Sequence, residues 1–191
     1  ESESDGWAGL ADLARRLRTA RPSMAVLTTR IDRAMAAASE RTPAAVERAA
    51  REAIERAVGA DREAAHLAAQ TLPERVATLS RSGTVERALQ AADPEAVLVA
   101  ESRPGGEGRG VAESLVDVTG VTLTSDAALP FELREWGAEA VLVGADRVLP
   151  DGRVINKVGT RGAALAAADA GIDCLVTCAS DKIAATDDYD L

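Results

Sequence analysis

The chain is poor in aromatic residues and in basic charge. Aromatic side chains make up 2% of its 191 residues, so platforms on which nucleic-acid bases could stack are scarce. The net charge at pH 7 is −9, whereas modules that bind nucleic acid usually carry a basic face. We therefore expect no direct contact with nucleic acid.

Long hydrophobic runs are also missing. No apolar run approaches the roughly 18 residues that a membrane-spanning helix needs, and the first residues do not resemble a secretory signal. We expect a cytoplasmic protein without a membrane partner. Hydrophobic residues nevertheless make up 47% of the chain, which is enough to bury a sizeable core.

Cysteine and histidine are too few for a metal site. Cys174 and Cys178 lie four residues apart in an apolar segment, and in a strand this spacing separates them by about 13 Å. That is too far for a disulfide, and two cysteines without a nearby histidine make no zinc site. We expect buried thiols, no metal and no cofactor. His66, the one histidine, lies within a predicted helix as a structural or exposed residue.

Lysine is nearly absent. Lys157 and Lys182 are the lysines among 22 basic residues. The acidic, alanine-rich composition favours a halophilic protein, the alternative being an ordinary acidic protein with biased codon usage. Because a compact ammonium suits sites that the arginine fork does not fit, the two lysines are candidate ligand contacts.

Apolar periodicity predicts an α/β protein with two domains. In residues 7–72 apolar side chains recur at three- and four-residue spacing, which predicts a bundle of three or four helices in a domain over 1–73. From residue 74 onward, short apolar runs alternate with helical segments, which predicts a Rossmann-like domain over 74–191 with a parallel sheet. Strands are expected at 76–79, 96–100, 118–123, 140–143 and 174–177, and a hairpin at 147–155.

Parallel sheets bind ligands beyond the carboxyl ends of their strands, so the loops there are the candidate site. Ser80 to Val85 joins a strand to a helix, and its small polar residues would offer backbone N–H groups to an anion. A plain helix N-cap by Ser80 or Ser82 explains the serines equally well.

The next loop runs from Glu101 to Gly110 and is rich in glycine. Its match to a dinucleotide-binding loop is imperfect, so a flexible surface loop is preferred. Arg103 is its best ligand candidate, because a guanidinium can grip a phosphate with two hydrogen bonds. Asp126, in the following loop, either caps a helix or lines the site.

A third motif begins at Asp146, at the end of a strand, where a general acid or base is often found. After the predicted hairpin, Asn156 and Lys157 offer an amide and an ammonium to a phosphate or a hydroxyl. The alternative is a loop held together by salt bridges.

These motifs resemble one family. They are Val-Leu-Val-Ala-Glu-Ser-Arg-Pro (97–104), Ser-Asp-Ala (125–127), Val-Gly-Ala-Asp-Arg (143–147) and Gly-Arg-Val-Ile-Asn-Lys-Val-Gly-Thr (152–160), with Ala-Arg-Pro-Ser-Met-Ala (20–25) in the helical part. The family includes the alpha, beta and delta subunits of translation initiation factor 2B, the ribose-1,5-bisphosphate isomerases and the methylthioribose-1-phosphate isomerases.

The resemblance implies a sugar-phosphate or nucleotide ligand and a homo-oligomer, either a dimer or a larger assembly. In the isomerases a cysteine and an aspartate interconvert an aldose phosphate and a ketose phosphate, and the aspartate matches Asp146. Phosphate and hydroxyl contacts match a further set of residues: Arg21, Ser82, Gly83, Thr84, Asn156, Lys157 and Lys182.

The chain departs from the isomerases at the cysteine position, which holds Ser80. A phosphate loop that isomerases carry before the helical domain is not visible, and the chain ends before the last elements of a typical member. Either a truncated C-terminal domain or a shortened family member explains this. Because a serine hydroxyl is far harder to ionise than a thiol, we predict a non-catalytic, regulatory protein like initiation factor 2B. The alternative is an active aldose–ketose isomerase, an intramolecular oxidoreductase.

Overall fold

The computed structural model describes residues 3–20, 25–38 and 41–184. The chain divides into two compact units. The helical unit comprises Glu1–Ala60, Asp146–Val154 and Asp181–Leu191, and the sheet unit comprises Asp61–Ala145 and Ile155–Ser180. Because neither unit is continuous along the chain, the domain boundary after residue 73 stays a prediction.

The N-terminal segment is helical, as the periodicity predicts. Its helices in the described ranges are α1 (Glu3–Ala20), α2 (Ala25–Ala37) and α3 (Pro43–Ala69). Helix α3 starts where Thr42 accepts the N–H of Ala45 on its hydroxyl at 3.2 Å. Pro43 takes the first helical position, where the missing N–H of proline leaves no hydrogen bond unmade.

A five-stranded parallel sheet forms the centre of the sheet unit, in the order β3-β2-β1-β4-β7. The predicted α/β fold is confirmed. Strand β3 starts later than expected because Val118 lies in a turn, where its N–H donates to Leu115. The strands of this sheet are β1 (Arg75–Leu79), β2 (Ala96–Ala100), β3 (Gly120–Thr124), β4 (Ala140–Val143) and β7 (Asp173–Val176).

Helices cover both faces of the sheet and bury one apolar cluster on each. The helices of the unit, besides the end of α3, are α4 (Gly83–Ala92), α5 (Glu107–Leu115), α6 (Leu129–Glu135) and α7 (Thr160–Ala170). On one face Leu89 and Leu115, from α4 and α5, pack on Val97. On the other face Leu133, from α6, and Ala167, from α7, pack in the cluster around Val141. Strands buried on both faces explain the nearly unbroken apolar runs in the sequence.

The predicted hairpin is present as a two-stranded sheet of β5 (Arg147–Val148) and β6 (Val154–Ile155). Its turn contains Gly152 at φ 86°, a backbone conformation that favours glycine. Cys174 and Cys178 are half-buried, and burial raises the pKa of the Cys174 thiol. His66 is exposed on α3. None of the helices in the described ranges has the length and apolar character needed to cross a membrane.

Candidate functional site

The loops that follow the strands of the sheet unit meet at one edge, here named the carboxyl edge. Strands β2 and β3 lie on one side of β1, while β4 and β7 lie on the other, so the strand order reverses between β1 and β4. Ligands of open α/β sheets bind at such a reversal. The loops after β1 and β4 touch there, because a Cβ added to Gly144 would lie 2.8 Å from Ser82 Oγ.

The loop after β1 holds four of the predicted site residues. Ser80 is half-buried with φ 62°, and Ser82 is the N-cap of α4, accepting the N–H of Val85 on Oγ at 3.4 Å. Gly83 begins the helix. Thr84 is buried, and its hydroxyl donates to Asp61 Oδ1 at 2.9 Å. The structure thus supports the N-cap for Ser82 and gives the Thr84 side chain a role in holding α4 to α3.

The loop after β2 carries a cluster of opposite charges. The Glu101 carboxylate, with its side chain 20% exposed, binds Arg103 Nε and Arg109 Nη2, both at 2.9 Å. Hydrogen bonds from Arg109 and then Arg103 hold the pKa of Glu101 below its ordinary value. Arg103, the predicted phosphate contact, is therefore paired within its own loop, and an anionic ligand would have to share it with Glu101.

Three loops of the carboxyl edge are joined by hydrogen bonds of Asp126 and Ser102. Asp126, in the loop after β3, accepts the backbone N–H of Ser102 on Oδ1 at 2.7 Å and that of Arg103 on Oδ2 at 2.6 Å. Ser102 in turn accepts the backbone N–H of Ser80 on Oγ at 2.5 Å. Helix α6 has Ala128 as its N-cap, without a side-chain hydrogen bond, and Ser125 Oγ accepts the N–H of Ala128 in the turn before it. Asp126 therefore anchors the neighbouring loop.

The segment before α7 brings the predicted amide and ammonium to the same edge. Asn156 Nδ2 donates to Thr160 Oγ1 at 3.0 Å, and Lys157 Nζ lies 2.6 Å from Glu107 Oε1 at the start of α5. The hydrogen bond from Lys157 lowers the pKa of Glu107. The pair is therefore intact above the ordinary carboxylate pKa and is lost only as the pH falls through that lowered value. Among the residues that the structure describes, Glu107 Oε2 is buried and has no hydrogen-bond partner.

Glu107→Gln is expected to strengthen the binding of inorganic phosphate to the chain about threefold, because the carboxylate that competes for Lys157 loses its charge. Calorimetric titration with phosphate at low salt measures the change. Glu113→Gln is the matched control, since it removes the same charge from an exposed position on the same helix. Equal affinities of the two variants would show that Glu107 does not compete with the anion.

The remaining predicted site residues lie outside the sheet unit. Asp146 and Lys182 belong to the helical unit, where both are half-buried, and Arg21 lies outside the described residues. In the described ranges no group of three or more histidine, cysteine, aspartate or glutamate side chains is placed to hold a metal ion. The roles of the site residues in binding and chemistry stay predictions.

Glu101, Ser102 and Glu107 were not separate candidates from the sequence. Glu107 lies 50 residues from its partner Lys157, and Ser102 lies 22 residues from Ser80. Only the positions of Glu101 and Ser102, just after a buried strand, carried a signal in the sequence.

Comparison with known proteins gives concordant matches. The family model described as "Initiation factor 2 subunit family" matches residues 3–190. A methylthioribose-1-phosphate isomerase from Alkalilimnicola ehrlichii is 31% identical over 91% of this chain and 55% of its own length. A ribose 1,5-bisphosphate isomerase from Haloferax volcanii is 37% identical over 52% of this chain and 30% of its own length. The matched part of the chain thus spans about half the length of the first relative and less than a third of the length of the second.

The solved structures agree with the sequence matches. The crystal structure of the Pyrococcus horikoshii translation initiation factor eIF-2B matches with a TM-score of 0.88 and 28% identity. The match covers 97% of this chain and 68% of that chain.

Proposed function

The chain belongs to the initiation factor 2 subunit family, and we propose that its carboxyl edge is the substrate site of an aldose–ketose sugar-phosphate isomerase. The observation that carries the proposal is the placement of Lys157, a rare lysine whose ammonium lies at this edge beside the start of α5. The names of relatives such as those from Alkalilimnicola and Haloferax support isomerase chemistry better than the regulatory role that we predicted first.

Aldose–ketose isomerisation moves protons between neighbouring carbon and oxygen atoms of the sugar. It needs one group that exchanges a proton at the reacting carbon, and donors that hold the phosphate and hydroxyls. In our proposal Asp146 exchanges the proton. Lys157 and Asn156 hold a phosphate and a hydroxyl, and the helix start at Ser82 and Gly83 offers backbone N–H groups to the anion.

Arg21 and Lys182 are candidate phosphate contacts in this proposal from the resemblance to the isomerases, and Arg103 is one from its place after β2. Thr84 contributes through its backbone, because its hydroxyl is bound to Asp61. Ser80 occupies the position that corresponds to the cysteine of the isomerases. In the proposal its hydroxyl donates a hydrogen bond to the reacting oxygen, since a hydroxyl can stabilise developing charge without ionising.

A regulatory protein that binds a sugar phosphate or nucleotide without turnover is the second candidate. The observation that favours it is again Ser80, because a thiol with a pKa near 8.5 can serve as a base and a serine hydroxyl cannot do so without a partner. This candidate keeps the same ligand contacts and omits the proton transfer at Asp146.

We extend the proposal to assembly and location. Leu123 on edge strand β3 is 42% exposed and Phe131 on α6 is 67% exposed. Contact between copies of the chain would remove such apolar side chains from water. We propose a cytoplasmic homo-oligomer without nucleic-acid or membrane partners.

The two candidates are separated by assaying the full chain and its Ser80→Cys and Ser80→Ala variants. Ribose 1,5-bisphosphate and methylthioribose 1-phosphate are tested for ketose formation, and their binding is measured by calorimetry in high salt. We expect the unmodified chain to turn over one of these sugars, and Ser80→Ala to turn it over about tenfold more slowly because one hydrogen bond to the reacting oxygen is lost.

Each outcome of this assay points to a different conclusion. Binding by the unmodified chain, with turnover only in Ser80→Cys, would establish the regulatory candidate. Absence of both binding and turnover in all three proteins would refute both candidates.

A further inference from the structure

Two serines at the carboxyl edge have a backbone conformation that residues other than glycine rarely adopt. Ser80 has φ 62° and directly follows β1. Ser102 has φ 63° and is the second residue after the neighbouring strand β2. Such conformations persist where the surroundings enforce them, and they are concentrated at functional sites. The groups that enforce them here can be identified.

Ser102 has the contacts needed to hold Ser80 in place. It is 2% exposed, and its hydroxyl both accepts the N–H of Ser80 at 2.5 Å and donates to the carbonyl of Ala100 at 3.2 Å. A hydroxyl can do both at once, whereas a methyl group or a hydrogen atom can do neither. Because the site is buried, water cannot readily take its place.

Asp126 holds Ser102 from the other side. Its two carboxylate oxygens each accept one backbone N–H, those of Ser102 and Arg103. Hydrogen bonds to a charged acceptor are about twice as strong as those between neutral groups. The carboxylate therefore fixes the loop after β2, from which Ser102 reaches the loop after β1.

We propose that Asp126 and Ser102 are positioning residues that hold Ser80 in its left-handed conformation at the carboxyl edge. Asp126 acts on Ser102, and Ser102 acts on Ser80, so the ends of three adjacent strands are joined into one rigid arrangement. The effect on ligands rests on the proposed function, in which Ser80 faces the reacting sugar. The holding of Ser80 does not depend on that function.

Ser102→Gly separates positioning from a merely structural role. Glycine adopts φ 63° without strain, so the change relieves the backbone while it deletes the hydroxyl. A structural role predicts that activity falls only as far as stability does. Positioning predicts a mobile Ser80 and reduced turnover under conditions in which the variant is still fully folded.

Asp93→Gly is the matched control. Asp93 also has a positive φ, 49°, and it ends α4 at the opposite end of that helix from Ser82. Its replacement by glycine relieves the same kind of strain without touching the loops of the carboxyl edge.

The experiment measures amide hydrogen exchange at Ser80 by NMR in the full chain, together with kcat and KM for ribose 1,5-bisphosphate. In Ser102→Gly we expect the Ser80 amide to exchange at least about fivefold faster, as for one lost hydrogen bond. We expect kcat to fall by a similar factor with KM little changed. Asp126→Asn should shift both quantities in the same direction, and Asp93→Gly should shift neither.

The outcomes distinguish this proposal from the proposed function. Unchanged exchange at Ser80 in Ser102→Gly would overturn the positioning role, whether or not the chain is an isomerase. Faster exchange with unchanged kcat and KM would overturn the claim that the position of Ser80 matters for the reaction. If the unmodified chain binds without turnover, the dissociation constant takes the place of kcat. If it neither binds nor turns over the sugar, the proposed function fails, while faster exchange would still support the holding of Ser80.

Discussion

Gly108→Ala is expected to destabilise the sheet unit by more than about 3 kcal/mol, enough to unfold a marginally stable domain. A Cβ at this position would lie 1.9 Å from the carbonyl oxygen of Ala100 and 2.9 Å from its carbonyl carbon. Both are backbone atoms at the end of β2, which is paired on both sides within the sheet. Neither α5 nor β2 can yield without breaking the packing of Val111 and Leu115, which are buried under this helix.

Urea unfolding followed by circular dichroism measures this effect. Gly110→Ala is the matched control, because the position is on the same helix and its nearest neighbour is the flexible end of Arg81 at 3.8 Å. Alanine favours a helix over glycine, so this variant should gain up to about 1 kcal/mol. If Gly108→Ala were as stable as Gly110→Ala, α5 would not approach β2 as closely as the structure shows.

Asp146→Asn is expected to lower kcat for sugar-phosphate isomerisation by about 10²- to 10⁴-fold, the range for loss of a general acid–base group. The amide keeps the size of the carboxylate but cannot take up and return a proton at neutral pH. KM should change little, because the proposed phosphate contacts at Asn156 and Lys157 are retained. Steady-state turnover of ribose 1,5-bisphosphate measures both constants.

Asp151→Asn is the control for this substitution. Asp151 lies in the turn of the same hairpin and is bound to Arg153, whose backbone N–H and guanidinium lower the pKa of its carboxyl group. Its loss should leave kcat unchanged. If Asp146→Asn kept kcat within about threefold of the unmodified chain, Asp146 would not be the proton-exchanging group, and the isomerase proposal would need another residue in that role.

Packing and charge are connected at the carboxyl edge. Gly108 allows α5 to lie against β2, and this close approach places Glu107 beside Lys157. In the proposed site, the charge pairs of Glu101 and Glu107 would set how readily Arg103 and Lys157 accept an anion. A variant of Gly108 that still folds should therefore disturb the pair of Glu107 and Lys157.

Much of the fold follows from local patterns. Parallel strands buried on both faces need nearly continuous apolar runs such as Ala96–Ala100, and the helices between them need apolar residues every three or four positions. These patterns predicted the sheet, the helices on both of its faces and the turn at Gly152. Boundaries were less well predicted, as at Val118, because a turn hydrogen bond competes with the strand.

The sequence by itself determined which loops form the carboxyl edge, because the end of a parallel strand is marked where an apolar run stops. The motifs in those loops identified the family that the match over residues 3–190 confirms. They also named Ser80, Asp126 and Lys157, although not the partners that these residues have.

The partners were decided only by the tertiary structure. Whether Lys157 meets Glu107, or Thr84 meets Asp61, depends on which strands are neighbours and how closely their helices approach. The order β3-β2-β1-β4-β7 differs from the order in the chain, and no local pattern encodes it. Side chains that are far apart in sequence therefore acquire their charge partners and hydrogen bonds only when the sheet is assembled.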